Sequence, residues 1–177
     1  GVEIVTAKDV ARFVESSIAD VKVDLSLAIV LVVIVTMVFL MNARATVIVA
    51  TAIPSALLST FFAFYLLDFT VNMLTMMALS VAIGLLVDDA IVVLESIYSQ
   101  MEDGVAPMEA AFKGTEKVFG AVIAGTLSIM AVFVPIAFME GIVGRFFYQY
   151  GLTIVFSVGI SLLVSLTLTP MLCSRML

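Results

Sequence analysis

The sequence predicts an all-α, polytopic membrane protein built as a bundle of five transmembrane helices. Of its 177 residues, 63% are hydrophobic and only 12% are charged, and the mean hydropathy is +1.27, whereas about 25% of a soluble domain is charged. The gaps between ionisable residues also reach the roughly 20 residues that a helix needs to cross a bilayer. No ten-residue alternation of apolar and polar residues indicates a barrel, so each span is predicted to be helical.

The uncharged stretches define the predicted spans. They cover residues 25–43, 46–67, 71–94, 118–139 and 150–172 and together make a transmembrane bundle over residues 25–177. The polar turns at 42–45 and 67–72 are so short that the helices they join must be antiparallel neighbours. The loop 95–117 breaks at Gly104 to Pro107 and is predicted to form a helical hairpin along the membrane surface.

Residues 1–24 are predicted to be a connecting segment with an amphipathic helix. The start GVEIV fits a strand fragment, and Thr6 with Asp9 matches a capping box that precedes apolar residues at helical spacing. The chain begins with Gly1 and lacks the features of a signal peptide, so we expect it to belong to a longer protein. The net charge of -6 argues against nucleic-acid binding.

Basic residues suggest an orientation. Arg44, Lys113, Lys117 and Arg175 fall on one predicted side of the membrane, against Arg145 and the basic residues of the first 24. By the positive-inside tendency, the turn 42–45 and the loop 95–117 are predicted to be cytoplasmic.

The most informative stretch is AIGLLVDDAIVVLES at 82–96, which places Asp88 and Asp89 inside an apolar run. Each Asp at a helix centre costs roughly 2.5–3.5 kcal/mol, and such residues usually mark an ion or proton path. Two close negative charges in a dry site disfavour joint ionisation, so the pair can take up a proton. Adjacent helical positions differ by about 100°, so the carboxylates should face different neighbours, with Gly84 leaving room beside Asp88.

The five predicted spans contain no Lys or Arg. The cationic partner of the pair must therefore be water, a second copy or another part of the protein. An intramembrane aspartyl protease would need carboxylates converging from separate helices, and no other span supplies one. Met73, Met76 and Met77 on the same predicted helix leave a Cu(I) site as an alternative, and a purely structural assembly module is another.

The stretch NMLTMMALSVAIGLLVDDAIVVLESI at 72–97 closely resembles the fourth transmembrane helix of resistance-nodulation-division (RND) transporters of the AcrB-like hydrophobe/amphiphile efflux branch. FLMNARATVIVATAIPSALLSTF resembles that family's second and third helices. AVFVPIAFMEGIVGRFFYQYGLTIVFSVGISLLVSLTLTPMLCSRML resembles its fifth and sixth. The resemblance implies that the chain is half of an RND-type membrane domain.

The resemblance also implies a function. Asp88 and Asp89 match the family's proton-relay carboxylates, so the parent is expected to be a proton-driven multidrug efflux antiporter, not an enzyme, with protons as coupling ion and no cofactor. The second Asp favours lipophilic substrates over the metal ions of the heavy-metal branch, which stays the alternative. The family implies a multi-pass protein of the bacterial inner membrane, with residues 1–24 on the periplasmic side.

The resemblance implies partners as well. They are the lipid bilayer and the second half of the same transporter, which carries the Lys that pairs with the two carboxylates. The parent is expected to be a homotrimer with a periplasmic adaptor and an outer-membrane channel. The 177 residues alone are not expected to transport.

Overall fold

The computed structural model describes residues 10–40 and 42–177, and in those ranges the chain is helical apart from short turns. The helices are α1 (Val10–Leu40), α2 (Ala43–Leu66), α3 (Met73–Glu102), α4 (Pro107–Ala137) and α5 (Gly141–Met176). The described residues contain no strand, which confirms the predicted all-α bundle. The predicted strand fragment GVEIV and the capping pair Thr6 and Asp9 lie outside the described residues.

Four helices, α2 to α5, are long and apolar enough to cross a membrane. They overlap the predicted spans 46–67, 71–94, 118–139 and 150–172, each of which lies within two residues of its helix or wholly inside it. Within α1 the described residues hold a shorter apolar stretch, Ser26–Val38, so the span 25–43 stays a prediction. α1 runs without a break from the predicted amphipathic segment into this apolar stretch.

The loop 95–117 is helical on both sides of the predicted break, and its two arms are continuous with α3 and α4. Residues 95–102 are the last turns of α3 and residues 107–117 are the first turns of α4, with only 103–106 between them. The buried face of α3 continues through Leu94 and Ile97 and packs in one cluster with Ala110 and Ala111 of α4. This packing stabilises both helices beyond the predicted spans. Glu109 and Lys113, four residues apart on α4, form an ion pair at 2.7 Å.

Helix α3 is the centre of the bundle, because it contacts each of the other four helices. Its fully buried side chains include Leu79, Ile83 and Ile97. Helix α4 is far more open. Within a stretch of it long enough to span a membrane, only 11% of the residues are buried. The carboxylate pair therefore lies on the most enclosed helix of the described chain.

One end of the bundle gathers the start of α2, the turn at 103–106 and the C-terminus of α5; we call it the Arg44 end. The Asn42 side chain caps α2 by accepting from the backbone N–H groups of Arg44 and Ala45. Nη1 of Arg44 donates to the carbonyl of Met176 at 3.4 Å, which ties α2 to the last turn of α5.

The opposite end, which we call the Asp68 end, contains the turn 67–72 and the start of α5. Asn72 forms a capping box with Thr75, and its Nδ2 donates to Oε1 of Gln149 at 2.6 Å. The rings of Phe69 and Tyr148 lie 6.1 Å apart. The aromatic-rich stretch RFFYQY at 145–150 thus packs partly against the turn 67–72.

Candidate functional site

Asp88 and Asp89 lie at the middle of the central helix. The 30-residue α3 runs from Met73 to Glu102, so Asp88 follows its start by 15 residues and precedes its end by 14. Their flanking residues Val87 and Ala90 are 4% and 1% exposed. The acids are therefore far from both ends of α3.

The two carboxylates point in different directions, as the 100° step of a helix predicts. Asp88 is exposed, whereas Asp89 is half-buried. Asp88 shares its open face with Met77, Val81 and Val92, which are 46%, 46% and 41% exposed. A methyl group added at Gly84 would meet no atom within 4 Å, so the predicted room beside Asp88 is confirmed.

Asp89 faces α4 and accepts a hydrogen bond from it. Oγ1 of Thr126 donates to Oδ2 of Asp89 at 3.0 Å, and Thr126 is 1% exposed. A carboxylate offers about four acceptor positions, and this hydroxyl occupies one. The arrangement holds the Asp89 side chain in place and leaves acceptor positions for a proton, water or a cation.

Helix α5 fixes the backbone just before the pair. Oγ of Ser161 donates to the carbonyl of Leu86 at 2.8 Å, and both residues are buried. That carbonyl is also the helical acceptor for the N–H of Ala90, so α5 contacts the turn that carries the acids. Ser161 belongs to a buried stripe of small polar residues four apart on α5: Thr153, Ser157, Ser161, Ser165, Thr169 and Cys173.

In the described part of the chain, no Lys or Arg nitrogen lies within 4.0 Å of either carboxylate, and the ion pair that is present joins Glu109 to Lys113. This agrees with the absence of basic residues from the predicted spans. The face of Asp88 is open in this structure, and any cation that pairs with it must approach from that face.

The methionines of α3 do not gather around the acids. Met76 is 5% exposed and packs in the interior, whereas Met73 and Met77 are 48% and 46% exposed. Met76 therefore lies on a different side of α3 from Met73 and Met77. Among the described residues, no group of three or more His, Cys, Asp or Glu side chains is close enough to hold a metal.

Sequence reasoning found the two acids and missed Thr126. The sequence feature that could have identified Thr126 is a hydroxyl within an apolar helix, but Ser128 has the same feature. Oγ of Ser128 bonds only to the carbonyl of Ala124 on its own helix. Ser157, Ser161 and Ser165 lie four residues apart, a spacing typical of a helix face for close contact, and all three are buried. The bond from Ser161 to α3 was not foreseen.

Comparison with known proteins identifies relatives over the whole chain. The AcrB/AcrD/AcrF family matches residues 1–177. The multidrug resistance protein MdtC of Photorhabdus laumondii is 46% identical over 176 residues, which are 99% of this chain and 17% of that protein. The MdtC proteins of Yersinia enterocolitica and Shigella flexneri are each 44% identical over the same share of both chains. The chain thus spans 17% of the length of these curated relatives.

Proposed function

Since the chain belongs to the AcrB/AcrD/AcrF family of RND transporters, we propose that Asp88 and Asp89 are the proton relay of a proton-driven multidrug efflux antiporter. The observation that carries this proposal is the placement of the pair. Two adjacent carboxylates lie at the middle of the most enclosed membrane helix, one held by Thr126 and the other on an open face. Intramembrane acids of this kind are expensive to insert and typical of proton paths.

The substrates that we propose are hydrophobic and amphiphilic compounds, because the relatives are named multidrug resistance proteins. The second Asp of the pair also favours such substrates over the metal ions of the heavy-metal branch. The transporter lies in the bacterial inner membrane, with the Arg44 end in the cytoplasm. Its assembly is a homotrimer with a periplasmic adaptor and an outer-membrane channel. The 177 residues alone do not transport, since the described residues give the carboxylates no cation.

The mechanism that we propose is a change in helix packing driven by charge. When both acids are ionised, they attract a Lys of the second half of the transporter, which approaches over Gly84 and the exposed Asp88. Protonation removes that attraction and releases the face. Thr126 and Ser161 connect the same turn to α4 and α5, so a shift of α3 moves both helices.

A structural assembly module is the second candidate, and the open face of α3 is the observation that favours it. On this hypothesis Asp88 serves only to pair the bundle with another membrane protein. The acids would then remain ionised against a permanent cation at every physiological pH. Proton uptake distinguishes the two candidates.

The test is infrared difference spectroscopy on the intact transporter between about pH 5 and 8, comparing the native protein with Asp88→Asn and Asp89→Asn. We expect a protonated-carboxyl band that titrates within this window and is lost or altered in both variants. A spectrum without any such band would exclude the relay and leave the structural ion cluster.

A second prediction concerns Thr126. Replacing it by Val keeps the shape and removes the hydroxyl that Asp89 accepts from, and a hydrogen bond to a charged group contributes about 1.5–3 kcal/mol. We therefore expect Thr126→Val to slow efflux by about tenfold or more, and Thr126→Ser to restore most of the rate. Ser128→Ala is the matched control, because that hydroxyl bonds only within α4. Equal rates for all three variants would show that the bond to Asp89 has no role.

A further inference from the structure

A groove at the Arg44 end lies between the first turns of α4 and the last turns of α5. Its volume is about 670 Å³. Four of the apolar side chains that line it are open: Met108, Phe112, Phe119 and Met171 are 76%, 74%, 49% and 41% exposed. None of them contributes to the Asp88 and Asp89 site, so the groove is a separate feature.

Two opposite charges line this otherwise apolar groove. Glu116 enters from α4 and Arg175 from the last turn of α5, and both are exposed. They do not pair with each other, because in the described part of the chain no ion pair within 4.0 Å joins them. An anion and a cation held apart on one apolar surface are complementary to a molecule that carries both charges and an apolar body.

The groove lies at the boundary of two predicted apolar spans. Glu116 precedes the span 118–139 by two residues, and Arg175 follows the span 150–172 by three. Phe119 and Met171 lie inside these spans. The two charges are therefore expected at the level of lipid headgroups, with apolar lining continuing from them into the leaflet.

We propose that this groove is a binding site for a zwitterionic phospholipid with a primary ammonium headgroup, taken from the leaflet at the Arg44 end. The guanidinium of Arg175 binds the phosphate. The ammonium group donates to the carboxylate of Glu116. One acyl chain lies along Phe119 and Met171. The site requires only that the bundle is embedded in a membrane, so it stands independently of the proton relay.

The first test is native mass spectrometry of the intact transporter in detergent, with phosphatidylethanolamine, phosphatidylcholine or phosphatidylglycerol added. Phosphatidylcholine keeps both charges and lacks the N–H donors, whereas phosphatidylglycerol lacks the cation. We expect phosphatidylethanolamine to be retained about tenfold better than either, and Glu116→Gln or Arg175→Gln to lower its retention by about tenfold, as for the loss of a hydrogen bond to a charged group. The controls are Glu102→Gln and Lys117→Gln, exposed charges at the same end that do not line the groove.

Equal retention of the three lipids, preference for phosphatidylglycerol, or unchanged retention in both groove variants would overturn the proposal. A second measurement leaves Glu116 and Arg175 intact: a photoreactive amino acid replaces Phe112, and the protein is irradiated in native membranes. A covalent adduct with the mass of phosphatidylethanolamine supports the proposal. A cross-link to a polypeptide, whether another segment of the transporter or a second copy, refutes it.

Discussion

Export of hydrophobic compounds is expected to fall to the level of cells without the transporter when either Asp88 or Asp89 is replaced by Asn. Asn has nearly the same shape as Asp and cannot gain or lose a proton, so the variant keeps the side chain and removes the titration. Dye efflux from energised cells measures the effect. The loss should be complete for each single variant, because two interacting carboxylates titrate as one unit.

The structure makes Asp89→Asn a sharp test. The Asn side-chain oxygen can still accept the hydrogen bond from Thr126, so the link between α3 and α4 survives while the charge is lost. A variant that is abundant, correctly assembled and inactive would therefore have lost its proton chemistry and not its packing.

The matched control is Glu95→Gln. Glu95 follows Asp88 by two helical turns on the same exposed side of α3, yet it lies closer to the Arg44 end. Its replacement should leave efflux unchanged. Efflux that survives in Asp88→Asn or Asp89→Asn and still depends on the proton gradient would contradict the relay assignment.

The sequence predicted the end of α4 better than its start. The predicted span 118–139 and the observed end of α4 at Ala137 agree within two residues, because charge marks the limit of the apolar region. The start of α4 at Pro107 lies 11 residues before that span. Hydropathy does not report such extensions, since a helix that continues beyond the apolar region is stabilised by packing on its neighbour.

The divergence of Asp88 and Asp89 was predictable because the helical step alone determines it. The partner of Asp89 was not, because the choice between Thr126 and Ser128 depends on how α4 is rotated about its own axis. The outer face of α4 is largely exposed, so its apolar residues do not reveal that rotation. Only the packed structure identifies the hydroxyl that faces α3.

Replacement of Gly114 by Ala is expected to destabilise the bundle by about 1–3 kcal/mol, the range for overpacking a close contact. Gly114 lies where α4 crosses α3. An added methyl carbon would lie 2.6 Å from Cα and 2.8 Å from the backbone nitrogen of Ile97. These are backbone atoms, so no side-chain rotation relieves the clash. The bond from Oγ of Ser96 to the carbonyl of Gly114, 2.8 Å long, would be strained as the helices separate.

The control for this prediction is Gly120→Ala, less than two turns further along the same helix. A methyl group at Gly120 meets nothing within 4 Å, and Ala is favoured over Gly in a helix by about 1 kcal/mol. Heating the purified transporter and measuring the monodisperse fraction by size-exclusion chromatography should show a lower midpoint for Gly114→Ala and an equal or higher one for Gly120→Ala. Because both substitutions add the same methyl group to α4, a similar rise in both midpoints would mean that α3 and α4 do not approach as closely as Gly114 and Ile97 indicate. A fall only at Gly114 would show that the helix carrying the acids is fixed to α4 by direct backbone contact.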